Sequence, residues 1–430
     1  MSSIVSTAGD REPENRSRRE NALDAFAVMC AVLFVLWPFS FGLGVIADIP
    51  AISAVGKGLM FLGFVWAVIG SPRWHGDSLE SRGLGSPRRL FQLLREGPDR
   101  GQTAAIFATV FFGLIFFSLV DWPDAARFFR LPRNYRLPPD AVWKWVAIAL
   151  GSASAAAIVA TCAIRYDNFR SAFALALKIS VAFLAYATLA AWLSRGEKAF
   201  SKFELADHTL DTAAHMFWGL LQQLTFTAFF ATRLRKAFAP AATPSAPMSA
   251  WRRLGAVALG GVIAAVTLAP ALWFAMRAVY GAKVPDALLG GLAAFVFPIG
   301  VVWTHFFCKD RRRMLVATLT GSCFGLIHID SYGLVLVTTL LGTTFAYAAM
   351  EDRFRNLAAF AFMHGLLGAT VTKLFGGKDI FRISLSVGPW AVKNPTAVVL
   401  IVPLVCLLAY AALAFWAARK LPAAAPETDR

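Results

Sequence analysis

The sequence predicts an all-α protein, a polytopic transmembrane helical bundle of about twelve spans with both termini on the cytoplasmic side. Three observations predict it. The chain is 57% hydrophobic and only 16% charged, where a soluble domain carries about 25% charged residues. Long apolar runs recur from residue 25 to residue 418 with no alternation of period two, which excludes the pattern of a transmembrane barrel. Lys and Arg concentrate in alternate connecting segments, about two to one, and the richer set marks the cytoplasmic side.

Taken in order, residues 1–21 are polar, with Arg11, Arg16, Arg18 and Arg19 against Glu12, Glu14 and Glu20. They are expected to be a disordered cytoplasmic tail. Residues 22–200 form an N-terminal membrane region of five spans, near 24–47, 51–70, 103–120, 142–163 and 171–193. The loop 71–102 carries Leu90, Leu93 and Leu94 beside Arg88, Arg89 and Arg95, the spacing of a surface helix. Residues 201–375 hold six more spans, near 213–232, 254–276, 286–308, 314–329, 332–350 and 357–374, and residues 376–430 hold the last span, 396–418, and a second tail.

The formal net charge of +16 is explained by topology and anionic lipid headgroups. With no basic-aromatic module in the chain, nucleic acid is not an expected partner. Membrane lipids are, and the expected location is an inner or plasma membrane of bacterial type. Cys30, Cys162, Cys308, Cys323 and Cys406 all lie in apolar spans, with no Cys-x-x-Cys pair. They read as small buried hydrophobes.

Polar chemistry at membrane depth begins only after residue 200. Gln222 and Gln223 are adjacent amides in the middle of an apolar run, an expensive placement unless they are paired or used. They project about 100° apart and can address different neighbours. Glu204, Asp207, Asp211 and His215 precede them at spacings of 3, 4 and 4, and Gln222 continues that face. The stripe has three readings: a solvated helix start, a site for metal or substrate access, or a polar face packed inside the bundle. His328 ends one span, and His364 lies deep in another, between Phe362-Met363 and Gly365. Gly342 and the Ala346–Ala349 stretch offer a small-residue face for close packing. The three polar places, Gln222-Gln223, His328 and His364, are expected to meet in one intramembrane site.

These residues carry a resemblance. Gln222-Gln223-Leu224-Thr225-Phe226, then Phe324-x-x-x-His328, then His364-x-x-x-Gly368 resemble in order the three motifs of the CPBP (CAAX protease and bacteriocin-processing, or Abi) family of intramembrane proteases. The resemblance covers about residues 213–374. It implies a hydrolase in which a motif-one Glu and two His activate water against a peptide carbonyl, often near a prenylated cysteine. The implied partner is a lipidated or membrane-anchored peptide.

On it, Gln222, Gln223, His328 and His364 take the catalytic positions, and Phe226, Phe324 and Gly368 support them. The cofactor is open, with a divalent metal such as zinc at His328 and His364 as the candidate. This chain departs from the pattern in having Gln-Gln for Glu-Glu, Thr227 for Arg and Gly368 for Asn, with two extra spans between the first and second motifs. Asp330 is a possible surrogate acid. Two alternatives to the endopeptidase follow: an inactive binding or chaperone descendant of the fold, and a twelve-span secondary transporter.

Overall fold

The structure, a computed structural model, describes residues 17–128, 142–201, 203–238, 248–280, 286–328, 332–375 and 397–422. It contains helices and no strands among the described residues. A helix occupies each of the predicted spans. Eight are long and apolar enough to cross a membrane, which makes this an integral membrane protein by composition: Arg18–Ile46, Pro50–His75, Arg100–Arg127, Val142–Ala163, Phe169–Leu193, Ala250–Phe274, Leu288–Lys309 and Ala397–Lys420. The other helices are Leu205–Thr225 with its continuation to Phe238, Arg311–Leu326, Tyr332–Ala349 and Leu357–Phe375. These helices carry the residues of interest. A helix enclosed by other helices can hold amides and imidazoles that a lipid-facing helix cannot.

The first helix begins earlier than the sequence suggests. Ser17 caps it, accepting from the Glu20 amide, while the Glu20 carboxylate accepts from the Ser17 amide. Residues 18–21, expected in a disordered tail, are therefore its first turn, and Asn21 is buried. The overlooked signal is Ser-x-x-Glu directly before an apolar run, a capping box. In the 71–102 loop, Pro87–Glu96 forms the expected surface helix, capped by Ser86. Leu93 is buried and Leu90 packs on the same cluster, while Leu94 is exposed.

The two spans separating the first and second motifs form a helical hairpin, Ala250–Tyr280 against Leu288–Lys309. A Cβ at Gly300 would lie 2.5 Å from the Ala264 Cβ and from the Gly260 carbonyl, so the hairpin closes on glycine. Few of its residues are buried. Its contacts with the rest include Tyr186 Oη donating to the Phe295 carbonyl (2.9 Å), Trp303 Nε1 donating to Thr318 Oγ1 (2.9 Å) and the Phe306 ring against Tyr347 (5.0 Å). An insertion at the rim leaves the inner helices free to meet.

One end of the bundle is tied by buried Arg. Arg233, 1% exposed, donates to Ser71 Oγ (2.9 Å) and Asn21 Oδ1 (3.2 Å), and it pairs with Asp24 (3.3 Å) and Asp77. Lys236 Nζ also reaches Asp77, at 2.8 Å. Burial pushes the Asp77 carboxyl up, but Arg233 and Lys236 pull it down further, leaving it below the usual carboxylate range.

Nearby, Arg355 donates to the carbonyls of Ala349 (2.6 Å) and Ser81 (2.8 Å), Arg165 pairs with Asp352 (2.7 Å), and Arg313 pairs with Glu351 (2.6 Å). Phe238 stacks on Trp416 at 6.2 Å, and Arg18 donates to the Ala237 carbonyl at 2.7 Å. The start of the first helix, the end of the last, and the segments near 71–85, 165–168, 233–238, 310–313 and 349–356 thus share one end.

Candidate functional site

Four inner helices converge on the amide pair. The Leu205–Thr225 helix lies along Leu357–Phe375, and Arg311–Leu326 lies along Tyr332–Ala349. Both pairings depend on missing side chains. A Cβ at Gly219 would stand 2.7 Å from His364 Cγ, and one at Gly342 would stand 2.9 Å from Phe324 Cδ1. Trp37 of the first helix donates Nε1–H to the Leu326 carbonyl at 3.0 Å. That bond anchors the turn that ends in His328.

Gln222 Nε2 lies 3.4 Å from His328 Nε2, and Gln223 Nε2 lies 3.5 Å from His364 Nδ1. The two adjacent amides therefore address two different histidines on two different helices, as their angular separation requires. All four proposed site residues are in one place. Gln223 is fully buried and Gln222 is 7% exposed, while both imidazoles are half-buried. Both amide oxygens, Gln222 Oε1 and Gln223 Oε1, are buried without a hydrogen-bond partner among the described residues. An orphaned buried acceptor costs about 1–3 kcal/mol, so each oxygen can accept a hydrogen bond from a donor that enters the site.

The short bond to a carbonyl sets the tautomer of His328, and the longer amide contact favours one for His364. His328 Nδ1 lies 2.8 Å from the Phe324 carbonyl, so Nδ1 carries the proton and donates. Nε2 is then a bare lone pair facing the centre, and it accepts from the Gln222 amide. His364 Nδ1 accepts from Gln223 in the same way, which leaves its Nε2–H as a donor. At 3.4–3.5 Å these amide–imidazole contacts are longer than ordinary N–H hydrogen bonds and break at little cost.

Phe324 is the floor of the site. Its ring meets Phe226 at 4.8 Å, His328 at 4.8 Å and His364 at 5.8 Å, all edge-on. Phe345 stacks on His364 from the other side at 6.3 Å. Directly after the amides, the helix widens to π geometry over Phe226–Ala231, a feature frequent at functional sites. Thr227 donates its hydroxyl to the Gln223 carbonyl at 2.7 Å. Gly368 packs against the ring of His215. Asp330 lies outside the described residues.

The polar stripe divides by depth. Glu204 and Asp207 are exposed, the solvated helix start, whereas Asp211 and His215 are buried. Asp211 pairs with Lys373 at 2.9 Å, and His208 Nε2 and Thr370 Oγ1 are 2.9 Å apart. The inner half of the stripe is thus a polar face packed against the His364 helix. His215 is the neighbour of the centre that the motif pattern does not name. Its signal was its position seven residues before Gln222, on the same face.

The donor set does not suit zinc. Both site-facing imidazole lone pairs accept from amide N–H groups; among the described residues, no carboxylate joins them and no group of three or more His, Cys, Asp or Glu side chains is arranged to hold a metal ion. A separate apolar groove, lined by Val181, Leu184, Leu189, Trp192 and Phe200, lies away from this chemistry. No protein-family model, no curated protein and no solved structure matches the chain.

Proposed function

We propose that this chain is a CPBP-type (CAAX protease-like) intramembrane endopeptidase in which the Glu-Glu pair is replaced by Gln-Gln. Its substrate is a lipidated or membrane-anchored peptide. The observation that carries the reading is the His328 tautomer: with Nδ1–H spent on the Phe324 carbonyl, Nε2 is a base aimed at the amide pair.

In this scheme the Gln222 amide swings off His328 as substrate arrives. Water attacks the peptide carbonyl carbon and gives a proton to His328 Nε2. The amide N–H groups of Gln222 and Gln223 and the Nε2–H of His364 stabilise the oxyanion in a water-poor cavity. His328 then returns its proton to the leaving nitrogen as the C–N bond breaks, giving a carboxylic acid and an amine, and the acid's proton passes to the amine to leave a carboxylate and an ammonium group. The bundle has about twelve spans, and the Arg-tied end that gathers the start of the first helix and the end of the last faces the cytoplasm. The host membrane is an inner or plasma membrane.

The full chain in proteoliposomes, given a fluorogenic farnesylated peptide, tests this. His328→Ala is expected to lower turnover by about 100-fold or more, the contribution of a general base. Equal turnover by the unmodified chain, His328→Ala and His364→Ala removes the site from the mechanism. A second reading, a non-catalytic holder of such peptides, is favoured by one observation: among the described residues, no carboxylate joins the amide–imidazole cluster. Saturable binding of the same peptide with no cleavage selects it.

A further inference from the structure

We infer that His215 is a third imidazole of this centre, a positioning residue that fills the space opened by Gly368 and holds its Nε2 lone pair toward His364. This rests on the reading of the centre given above.

Two helices exchange contacts here. The ring of His364 lies over Gly219, and the ring of His215 lies over Gly368; a Cβ at residue 368 would stand 3.0 Å from His215 Cδ2 and 3.7 Å from Nε2. The Nε2 edge of His215 therefore occupies the volume into which any side chain at 368 would extend. Residue 368 is four past His364, one turn along the same face. The missing side chain of one helix is replaced by an imidazole from the other.

The tautomer is set as it is at His328. His215 Nδ1 lies 2.8 Å from the Asp211 carbonyl and donates to it, leaving Nε2 a lone pair. No hydrogen bond to that Nε2 exists among the described residues. His364 presents the complement, an Nε2–H left over once Nδ1 accepts from Gln223. One acceptor and one donor on facing helices form a match that a single water can join. The charged and titratable groups around His215 are Asp211 and His208 on its own helix and Lys373 and His364 on the facing one. Asp211 is already held by Lys373 at 2.9 Å, so the two charges offset each other and the imidazole pair remains to answer to pH.

The test is nitrogen NMR of the full chain in nanodiscs with 15N-labelled histidine, followed from about pH 8 down to about pH 2 so that the titration of a buried imidazole falls inside the range. Its readout is independent of turnover, so a chain that cleaves no peptide can still pass it, and a peptidase can fail it. Unmodified protein is expected to show His215 protonated at Nδ1 and His364 protonated at Nε2. His215→Asn is expected to move the His364 titration midpoint by about half a pH unit or more, the mark of coupled sites. His215→Gln, which keeps an acceptor, should move it less. Gly368→Ala alters no polar group and crowds the His215 ring, so it should shift the His215 and His364 signals together; it also serves if His215→Asn does not fold. Unchanged His364 signals and midpoint in the folded variants overturn the assignment.

Discussion

Arg233→Gln is expected to destabilise the fold by about 3–5 kcal/mol, the cost of removing one partner from a buried ion pair. The magnitude follows from the surroundings. Arg233 and Asp77 side chains are each 1% exposed. The guanidinium also serves Ser71, Asn21 and Asp24. Without it, Lys236 at 2.8 Å compensates Asp77, but Asp24 keeps only His75 (3.2 Å) and the neutral donors of Ser71 and Trp66. One buried negative charge is left over.

Acid provides an internal check. In the unmodified chain, Asp77 is held below the usual carboxylate range. A depressed folded pKa contributes stability above the unfolded value, about 3.9, and loses it as pH falls through the lower folded value. In Arg233→Gln, burial is opposed only by Lys236, so the carboxyl rises and the variant loses less on acidification. The stability gap should narrow below about pH 4. Unfolding by SDS titration in mixed micelles, at neutral and acid pH, measures both. A gap under about 1 kcal/mol at neutral pH, typical of exposed pairs, or a gap independent of pH, refutes the buried network.

Gly219→Ala forces a Cβ within 2.7–2.9 Å of the His364 ring; overpacking of this kind costs about 1–3 kcal/mol, and a thermal melt together with loss of the Gln223–His364 contact in NMR shows it. Gln222→Glu introduces a carboxylate beside the His328 lone pair, and it should raise hydrolysis of the farnesylated peptide by about tenfold or more at neutral pH; turnover at or below that of the unmodified chain counts against the water-activation scheme. Asp352→Asn should cost under about 1 kcal/mol in the same SDS titration, because Asp352 is 66% exposed. The Asp352 carboxyl is raised by burial but lowered further by Arg165 and Arg355, so the small loss should also fade with acid.

The legible part of the fold was what lipid dictates. Apolar runs of spanning length and the grouping of Lys and Arg identified the helices and which connecting segments share an end, because both follow from solvation alone. The N-terminal boundary was missed for a different reason. The Ser17–Glu20 box is four polar residues inside a polar tail, and its effect is visible only once the helix behind it is packed. The rim position of the 250–309 hairpin was equally hidden. Sequence separation placed 106 residues between Gln222 and His328, and only the packed bundle shows that this stretch passes around the centre.

At the centre itself, the sequence could say that two amides and two histidines share membrane depth, since each is costly alone and cheaper together. It could not say which nitrogen faces which. That depends on the carbonyls of Phe324 and Asp211, whose acceptance of Nδ1–H turns His328 and His215 the same way. Backbone carbonyls are present at every position and leave no mark in sequence, although they decide where each lone pair points. The same holds for Gly219 and Gly368. Read singly they are small residues in a helix, but in the structure each is the space taken by a histidine of the other helix. The absence of an acidic side chain at positions 222 and 223 therefore does not empty the centre of basic groups: the lone pairs of His328 and His215 are oriented by main-chain acceptors, and those are the groups any chemistry here must use.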